Sequence, residues 1–351
     1  MYKTEESFMK NRQIVFTAPC VAELLEKPMP VPQRGEVLVK KAFSTISAGT
    51  ERANLVGDPN ISPSAGQKNA PPMFPRELGY CSAGTIAAVG EGVTDLAVGD
   101  RVVCVWGLHT AYQVYDQNDV VKIEYDDIPL NVAATCFIAT FPLTGLRKTE
   151  PELGESAMIV GLGVLGVFAV QIAKVMGLTP VIAVDPVKSR RDFALKMGAD
   201  YALDPTAPDF VATVKQLTGK GANVAVEVTG RGEALDQTLD CMAKFGRVSL
   251  LGCTRNSDFT IDYYRKVHYP GISLIGAHTQ SRPKLESRPG AYTHQDDLRT
   301  LLRLLHGKRL DFAPMITEVH SPAECGEVFA RLATDKDFPV GVQFDWSMLE
   351  D

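Results

Sequence analysis

Residues 157–177, AMIVGLGVLGVFAVQIAKVMG, constrain the fold of this chain more than any other stretch. Four apolar residues, Ala157 to Val160, run into Gly161-Leu-Gly163-Val-Leu-Gly166. A long apolar segment follows, in which Gln171 and Lys174 are the only amide or charged side chains. The pattern reads as buried strand, glycine turn and buried helix.

A turn of this spacing fits the opening of a dinucleotide-binding βαβ unit. Gly161 serves the tight turn, Gly163 lets backbone approach a pyrophosphate, and Gly166 permits close packing of helix on strand. The pyrophosphate then lies at the helix N-terminus formed by Val164, Leu165 and Gly166, where free N–H groups and the helix dipole favour an anion. Pro180 to Val184 reads as the next strand, and Asp185 stands at its end, where a carboxylate accepts ribose hydroxyls. A buried strand-turn-helix with no ligand is the competing reading.

At 351 residues the chain is too long for one ordinary core, so two domains are expected. A net charge of −6 and the lack of a basic, aromatic-rich cluster argue against nucleic acid. No apolar run reaches the roughly 18 residues of a membrane helix, and residues 1–13 carry no signal-peptide core, so no membrane association and a cytoplasmic protein are expected. Seven scattered cysteines without a CxxC pair suit free thiols in a reducing compartment.

From Gln13 to about Lys122 the sequence is a series of short β-like runs separated by Gly, Pro, Asn and Asp: 14–16, 35–41, 84–89, 100–105 and 111–115. Residues 62–75 read as an exposed loop. Helical patterning runs from about Leu130 toward Arg147. After Asp185, helices at 188–197, 210–217 and 233–242 alternate with strands at 201–203, 224–228 and 247–251, and a last strand follows at 272–275. The alternation implies a parallel sheet covered on both faces, hence an α/β fold. Residues 278–293 read as an ordered loop, 296–306 as a helix, 322–332 as another helix and 340–344 as a final strand.

This order of segments resembles the medium-chain dehydrogenase/reductase family, which contains zinc alcohol dehydrogenases and quinone reductases. The motifs that carry the resemblance are Gly79-Tyr-Cys-Ser-Ala-Gly-Thr, Val89-Gly-Glu-Gly-Val, Val98-Gly-Asp-Arg-Val, the glycine turn, Val226-Glu-Val-Thr-Gly230 and Pro314-Met-Ile-Thr-Glu-Val. The resemblance implies a GroES-like β domain over 1–135 and 288–351 and a Rossmann, doubly wound parallel-sheet domain over 136–287, with the active site in the cleft between them. It also implies a homodimer pairing through the strand at 272–275. Arg190 is expected near the adenosine ribose, Thr229 and Gly230 near the middle of the cofactor, and Thr140 near the nicotinamide.

The departures from the family pattern are specific. Zinc members take ligands from a Cys-Gly-Thr/Ser-Asp stretch, a Gly-His-Glu stretch and a third Cys or acidic residue. Here those positions read Ala48-Gly-Thr50-Glu51, Gly79-Tyr80-Cys81 and Cys136. One thiolate does not make a catalytic zinc site, so no metal is expected. The four-cysteine structural zinc lobe is replaced by a short Trp106-Gly-Leu-His-Thr connection. Asp185 favours NAD over NADP, while Lys188, Arg190 and Arg191 offer cations that favour the opposite choice.

Without zinc, Tyr80 and Thr50 are the expected catalytic pair, the phenol acting as proton donor and Thr50 standing where zinc members keep a relay hydroxyl; the relay histidine position is Ala53. Tyr80 filling the volume of a lost metal site is the alternative. His109 and the thiols of Cys81 and Cys136 are expected to be structural, and Glu51 and Arg52 to form a local ion pair. Five cationic or imidazole side chains, His278, Arg282, Lys284, Arg288 and His294, are expected either to border the substrate cleft or to be solvated. The expected function is zinc-independent, NAD-linked hydride transfer on a small-molecule secondary alcohol or ketone of sugar or polyol type. An NADPH-dependent enone or quinone reductase and a non-catalytic NAD(H)-binding protein are the alternatives.

Overall fold

The computed structural model describes residues 10–61, 73–257 and 259–349, so most of the loop expected at 62–75 lies outside the described residues. The chain divides into two compact units, residues 1–137 with 311–351 and residues 138–310. The second boundary falls later than the expected 287/288. The helix His294–His306 explains the difference: Thr293 caps it by accepting from the Asp296 amide, and Leu298, Leu301, Leu302 and Leu305 are buried along one face. Asp297 on that helix is tied to Arg147 and Arg282 of the same unit.

The second unit holds a six-stranded parallel sheet in the order Tyr201–Leu203, Val181–Val184, Ala157–Val160, Ala222–Glu227, Met242–Leu250, Ser273–Gly276. In chain order this is 3-2-1-4-5-6, the doubly wound arrangement whose ligand crevice lies at the carboxyl ends of the first and fourth strands. Buried aliphatic residues fill every position of Ala157–Val160 and Val181–Val184, as strands covered on both faces require. The expected helix at 233–242 ends at Asp240, and the strand begins at Met242 rather than Arg247. The early part of that strand was hidden by an irregularity: the register with Ala222–Glu227 shifts there and Phe245 has φ 63°.

The first unit is built on antiparallel strands. Glu36–Thr45 pairs with Cys81–Val89 on one edge and with the C-terminal strand Val342–Asp345 on the other, so the tail completes the N-terminal β unit. Asn11–Ala18 and Val21–Lys27 form a hairpin, of which only residues 14–16 were expected. The helix Ala48–Leu55 was not anticipated at all; its buried residues are Glu51, Asn54 and Leu55, which gives no apolar stripe to read. Among the described residues no helix is long and apolar enough to cross a membrane.

Candidate functional site

The glycine turn lies at the carboxyl end of Ala157–Val160, and its three glycines have separable reasons. Gly161 has φ 94°, and a Cβ there would meet Thr229 Cγ2 at 2.8 Å, which brings the Val228–Gly230 turn against it. A Cβ on Gly166 would stand 1.8 Å from the Gly161 carbonyl oxygen, so helix Val164–Val175 sits on the turn only because this residue has no side chain. Gly163 differs from both. Its φ is −73°, open to any residue, and nothing lies within 4 Å of where its Cβ would be.

Packing and backbone conformation therefore leave Gly163 unexplained, and its missing side chain leaves room for a ligand to approach the backbone. Gly163 is also the N-cap of that helix and makes no side-chain cap, so the amides of Val164, Leu165 and Gly166 have no intrahelical acceptor. This corner presents N–H groups and bare space together. The residues fit a bound dinucleotide pyrophosphate.

Asp185 is buried at the end of Val181–Val184, with Oδ2 accepting from the Leu162 amide at 2.9 Å and Oδ1 from the Val187 amide at 2.8 Å. A carboxylate has about four lone-pair sites, so two acceptor positions remain for ribose hydroxyls. Arg190 Nη1 stands 3.9 Å from Oδ2. The other two cations are committed elsewhere: Lys188 pairs with Asp192 at 2.6 Å, and Arg191 with Asp204 at 3.1 Å and with the Asp185 carbonyl.

Opposite Asp185 along the sheet, buried Glu227 accepts from the amides of Thr229 and Gly230 and from the Thr229 hydroxyl. Burial raises its pKa, and these bonds partly offset the rise. Sequence reading missed this anchor for the Thr229–Gly230 turn, although Glu227 lies within the quoted motif.

Thr140 lies on helix Cys136–Lys148 with its hydroxyl 3.1 Å from His294 Nδ1. The Thr140 carbonyl accepts from Arg282 at 3.0 Å, and Arg282 also binds Asp297 at 3.1 Å and the Thr144 hydroxyl. Burial, with the Arg282 charge, drives His294 down to about 3. Arg282 and His294 thus fasten the 278–293 loop to two helices instead of offering charge outward. Lys284, Arg288 and His278 are exposed.

In the first unit the register that sets Thr45 opposite Cys81 brings the next residues together, Ser47 beside Tyr80. The Tyr80 hydroxyl donates to Ser47 Oγ, and the Thr50 side chain also hydrogen-bonds it. The ring is 9% exposed and packs edge-on against Trp106 at 5.5 Å and Phe137 at 6.1 Å between centroids. Burial raises the Tyr80 pKa, more than its hydrogen bonds lower it. The phenol therefore stays protonated through the physiological range, so it can donate a hydrogen bond and is a poor base.

Tyr80 and Thr50, expected together, are together. Ser47, Trp106 and Phe137 were not foreseen, and the strand register was the signal that would have found Ser47.

One expectation changes here. Glu51 does not pair with Arg52; its Oε2 is 3.0 Å from His109 Nε2, and Arg52 instead donates to the carbonyls of Leu332 and Asp335. The short helix explains this, since it points Glu51 inward and Arg52 toward helix Cys325–Thr334.

The residues at the zinc-ligand positions do not fit zinc. Ala48 has no donor, the Tyr80 hydroxyl is already bonded to Ser47, and the fully buried Cys136 thiol is pushed up by burial, with its Sγ 3.9 Å from the Val132 carbonyl. Among the described residues no group of three His, Cys, Asp or Glu side chains could hold a metal.

Two family models match the chain: one described as a zinc-binding dehydrogenase over residues 164–294, and one described as an alcohol dehydrogenase GroES-like domain over residues 33–126. D-guloside 3-dehydrogenase of Escherichia coli is 30% identical over 290 residues, spanning 78% of this chain and 82% of its own. L-threonine 3-dehydrogenase of Thermococcus kodakarensis is 30% identical over 300 residues, spanning 76% and 82%. A solved oxidoreductase/dehydrogenase of unknown specificity from Escherichia coli matches the fold with a TM-score of 0.82 at 18% identity, covering 96% of this chain and 99% of its own.

Proposed function

Because this chain belongs to the medium-chain dehydrogenase/reductase superfamily, we propose that it moves hydride between NAD(H) and a secondary alcohol or its ketone, of sugar or polyol type, without zinc. Its relatives are dehydrogenases of sugars, threonine and alcohols, so the chain is an alcohol/ketone oxidoreductase. The superfamily binds nicotinamide cofactors. The name D-guloside 3-dehydrogenase supports a ring secondary alcohol as substrate type.

The observation that supports the zinc-independent reading is that Tyr80, which stands at one ligand position of zinc members, is bonded into a hydroxyl cluster with Ser47 and Thr50. When bound, the nicotinamide supplies or accepts the hydride. The chain's own residues hold the cofactor and handle the oxygen. Gly161, Gly163, Val164, Leu165 and Gly166 would hold the pyrophosphate, Asp185 and Arg190 the adenosine ribose, Thr229 and Gly230 the middle, and Thr140 the nicotinamide side.

When substrate is bound, the single Tyr80 hydroxyl hydrogen turns from Ser47 Oγ to the carbonyl oxygen, with Ser47 donating to the phenol oxygen in its place; it stabilises the negative charge that develops there during reduction and passes to that oxygen as the alcohol forms. Ser47 and Thr50 keep the phenol oriented and carry the hydrogen-bond chain behind it. The half-buried Trp106, with φ 64°, supplies an apolar wall beside Tyr80. The engaged Lys188 and Arg191 leave Asp185 to repel a 2′-phosphate, which supports NAD over NADP.

A homodimer belongs to the same reading, because Ser273–Gly276 is the edge of the parallel sheet with Leu274 exposed. Free cysteines throughout support a cytoplasmic setting. The test is an assay of purified protein with NAD and NADP against methyl aldosides, polyols, L-threonine and simple secondary alcohols, with metal analysis of the same preparation. Turnover with NAD and far less than one zinc per chain is expected. Stoichiometric zinc or a clear NADP preference overturns the corresponding half of the reading.

A further inference from the structure

Beneath the hydroxyl cluster runs a second polar network that the reaction does not touch directly. Glu51 is fully buried, and its two oxygens divide their work: Oε1 accepts from the Ser47 amide at 2.9 Å and Oε2 from His109 Nε2 at 3.0 Å. His109 Nδ1 lies 2.8 Å from Ser44 Oγ. The Trp346 indole, which can only donate, binds the same Ser44 oxygen at 2.9 Å, leaving the Ser44 hydroxyl hydrogen for Nδ1 and the Nε2 hydrogen for the carboxylate.

The His109 ring is built in from every side. Phe344 meets it at 5.5 Å and Phe329 at 6.1 Å between centroids, and a Cβ on Gly79 would fall 2.2 Å from the His109 amide nitrogen. A buried carboxylate is costly unless paired, so an arrangement this closed calls for a reason beyond folding.

Ser47 supplies that reason. It is the N-cap of helix Ala48–Leu55, a place where serine ordinarily lies in the extended region and its side-chain oxygen accepts an amide of the first turn. Here ψ is 83°, short of that region, and no side-chain cap bond is made. The hydroxyl goes to Tyr80 instead.

We propose that the buried Glu51–His109 pair is a positioning couple: by gripping the Ser47 amide it holds Ser47 away from the ordinary cap geometry and turns the hydroxyl to Tyr80. The proposal rests on the reading of Tyr80 as the group that meets the substrate oxygen. Glu51 and His109 touch neither substrate nor cofactor in it; they act through Ser47.

The experiment joins a structural and a kinetic arm. In crystals of Glu51→Ala, Ser47 ψ is expected to move into the extended region and Oγ to accept from the Gly49 or Thr50 amide, leaving Tyr80 without Ser47. Glu51→Gln, whose amide oxygen still accepts from Ser47, is expected to keep the wild-type arrangement. Glu51→Met keeps the volume without the acceptor and replaces the alanine variant if that one does not fold.

In assays with NAD and methyl α-D-glucopyranoside, Glu51→Ala is expected to lower kcat about tenfold with the KM for NAD unchanged, and to add less than twofold to Tyr80→Phe. Ser47 remaining on Tyr80 in Glu51→Ala overturns the proposal, as do losses that multiply in the double variant. Wild-type kcat in Tyr80→Phe instead removes the catalytic reading of Tyr80, and the crystal arm still decides whether Glu51 sets Ser47. An assay probe that is not turned over leaves that decision to the crystal arm in the same way.

Discussion

The glycine corner of the parallel-sheet unit and the hydroxyl cluster of the β unit arrange hydrogen-bonding groups in opposite ways. At the corner the donors are backbone amides of consecutive residues, exposed because Gly163 has no side chain and nothing stands in its place. In the cluster the donors are side chains far apart in sequence: Tyr80 meets Ser47 across 33 positions, Glu51 meets His109 across 58, and Ser44 meets Trp346 across 302. A backbone device is written in one local stretch. A side-chain device depends on strand register and on the return of the C-terminal tail.

That difference is open to attack, and the largest effect is expected at the corner. Gly166→Val would place its Cβ 1.8 Å from the Gly161 carbonyl oxygen, so helix and turn must separate; loss of several kcal/mol of stability and of measurable NAD binding is expected, read by thermal melting and calorimetry. Unchanged melting would break the claim that this glycine serves packing.

Next in size is Asp297→Ala, which strands the Arg282 guanidinium in the interior of the same unit. A loss of about 3–5 kcal/mol by denaturant unfolding is expected, since removing one partner leaves a buried charge uncompensated. This sharpens the comparison between buried ionic clusters: Arg282 holds a loop, whereas Glu51 holds the Ser47 amide.

Gly163→Ala separates ligand approach from folding. Melting within about 0.5 kcal/mol of wild type and NAD affinity lowered about tenfold, roughly 1.4 kcal/mol, are expected, because the new methyl enters open space and not a neighbour. Unchanged affinity would mean that the pyrophosphate does not approach this residue.

The smallest effect is in pH. His294 titrates near 6.5 when unfolded and is lowered to about 3 by burial and the Arg282 charge, so the unfolded chain binds the extra proton between those values. Its contribution to stability is therefore complete above about pH 6.5 and is lost as pH falls toward 3, amounting to about 1 kcal/mol by pH 5.5. Chemical denaturation of His294→Gln across that range is expected to show a flatter acid limb than the wild type.

These contrasts explain what could be read in the residues alone. The alternation of strands and helices, the glycine turn and the place of Asp185 at a strand end follow from periodicity and short spacing, whereas the order of the strands in the sheet was not read from them. The helix Ala48–Leu55 could not be read, because its inward residues are Glu51, Asn54 and Leu55 and present no apolar stripe. Without that helix, Glu51 looked like a neighbour of Arg52, and the Ser47 hydroxyl had no visible role. The domain boundary slipped for a related reason, since an Asp297 buried between two arginines is indistinguishable in sequence from a solvated acid. Tyr80 was singled out because it departs from a family pattern, which is information about chemistry and not about contacts.

The central claim is that a neutral phenol stands where zinc members place a metal ligand and meets the substrate oxygen there. Single-turnover reduction of a ketone by NADH in metal-analysed protein, wild type against Tyr80→Phe, tests it most directly. A hydride-transfer rate about a hundredfold lower is expected in the variant, with NADH affinity and melting temperature unchanged and no zinc in either preparation. A variant that transfers hydride at the wild-type rate, or activity that tracks bound zinc, would contradict it.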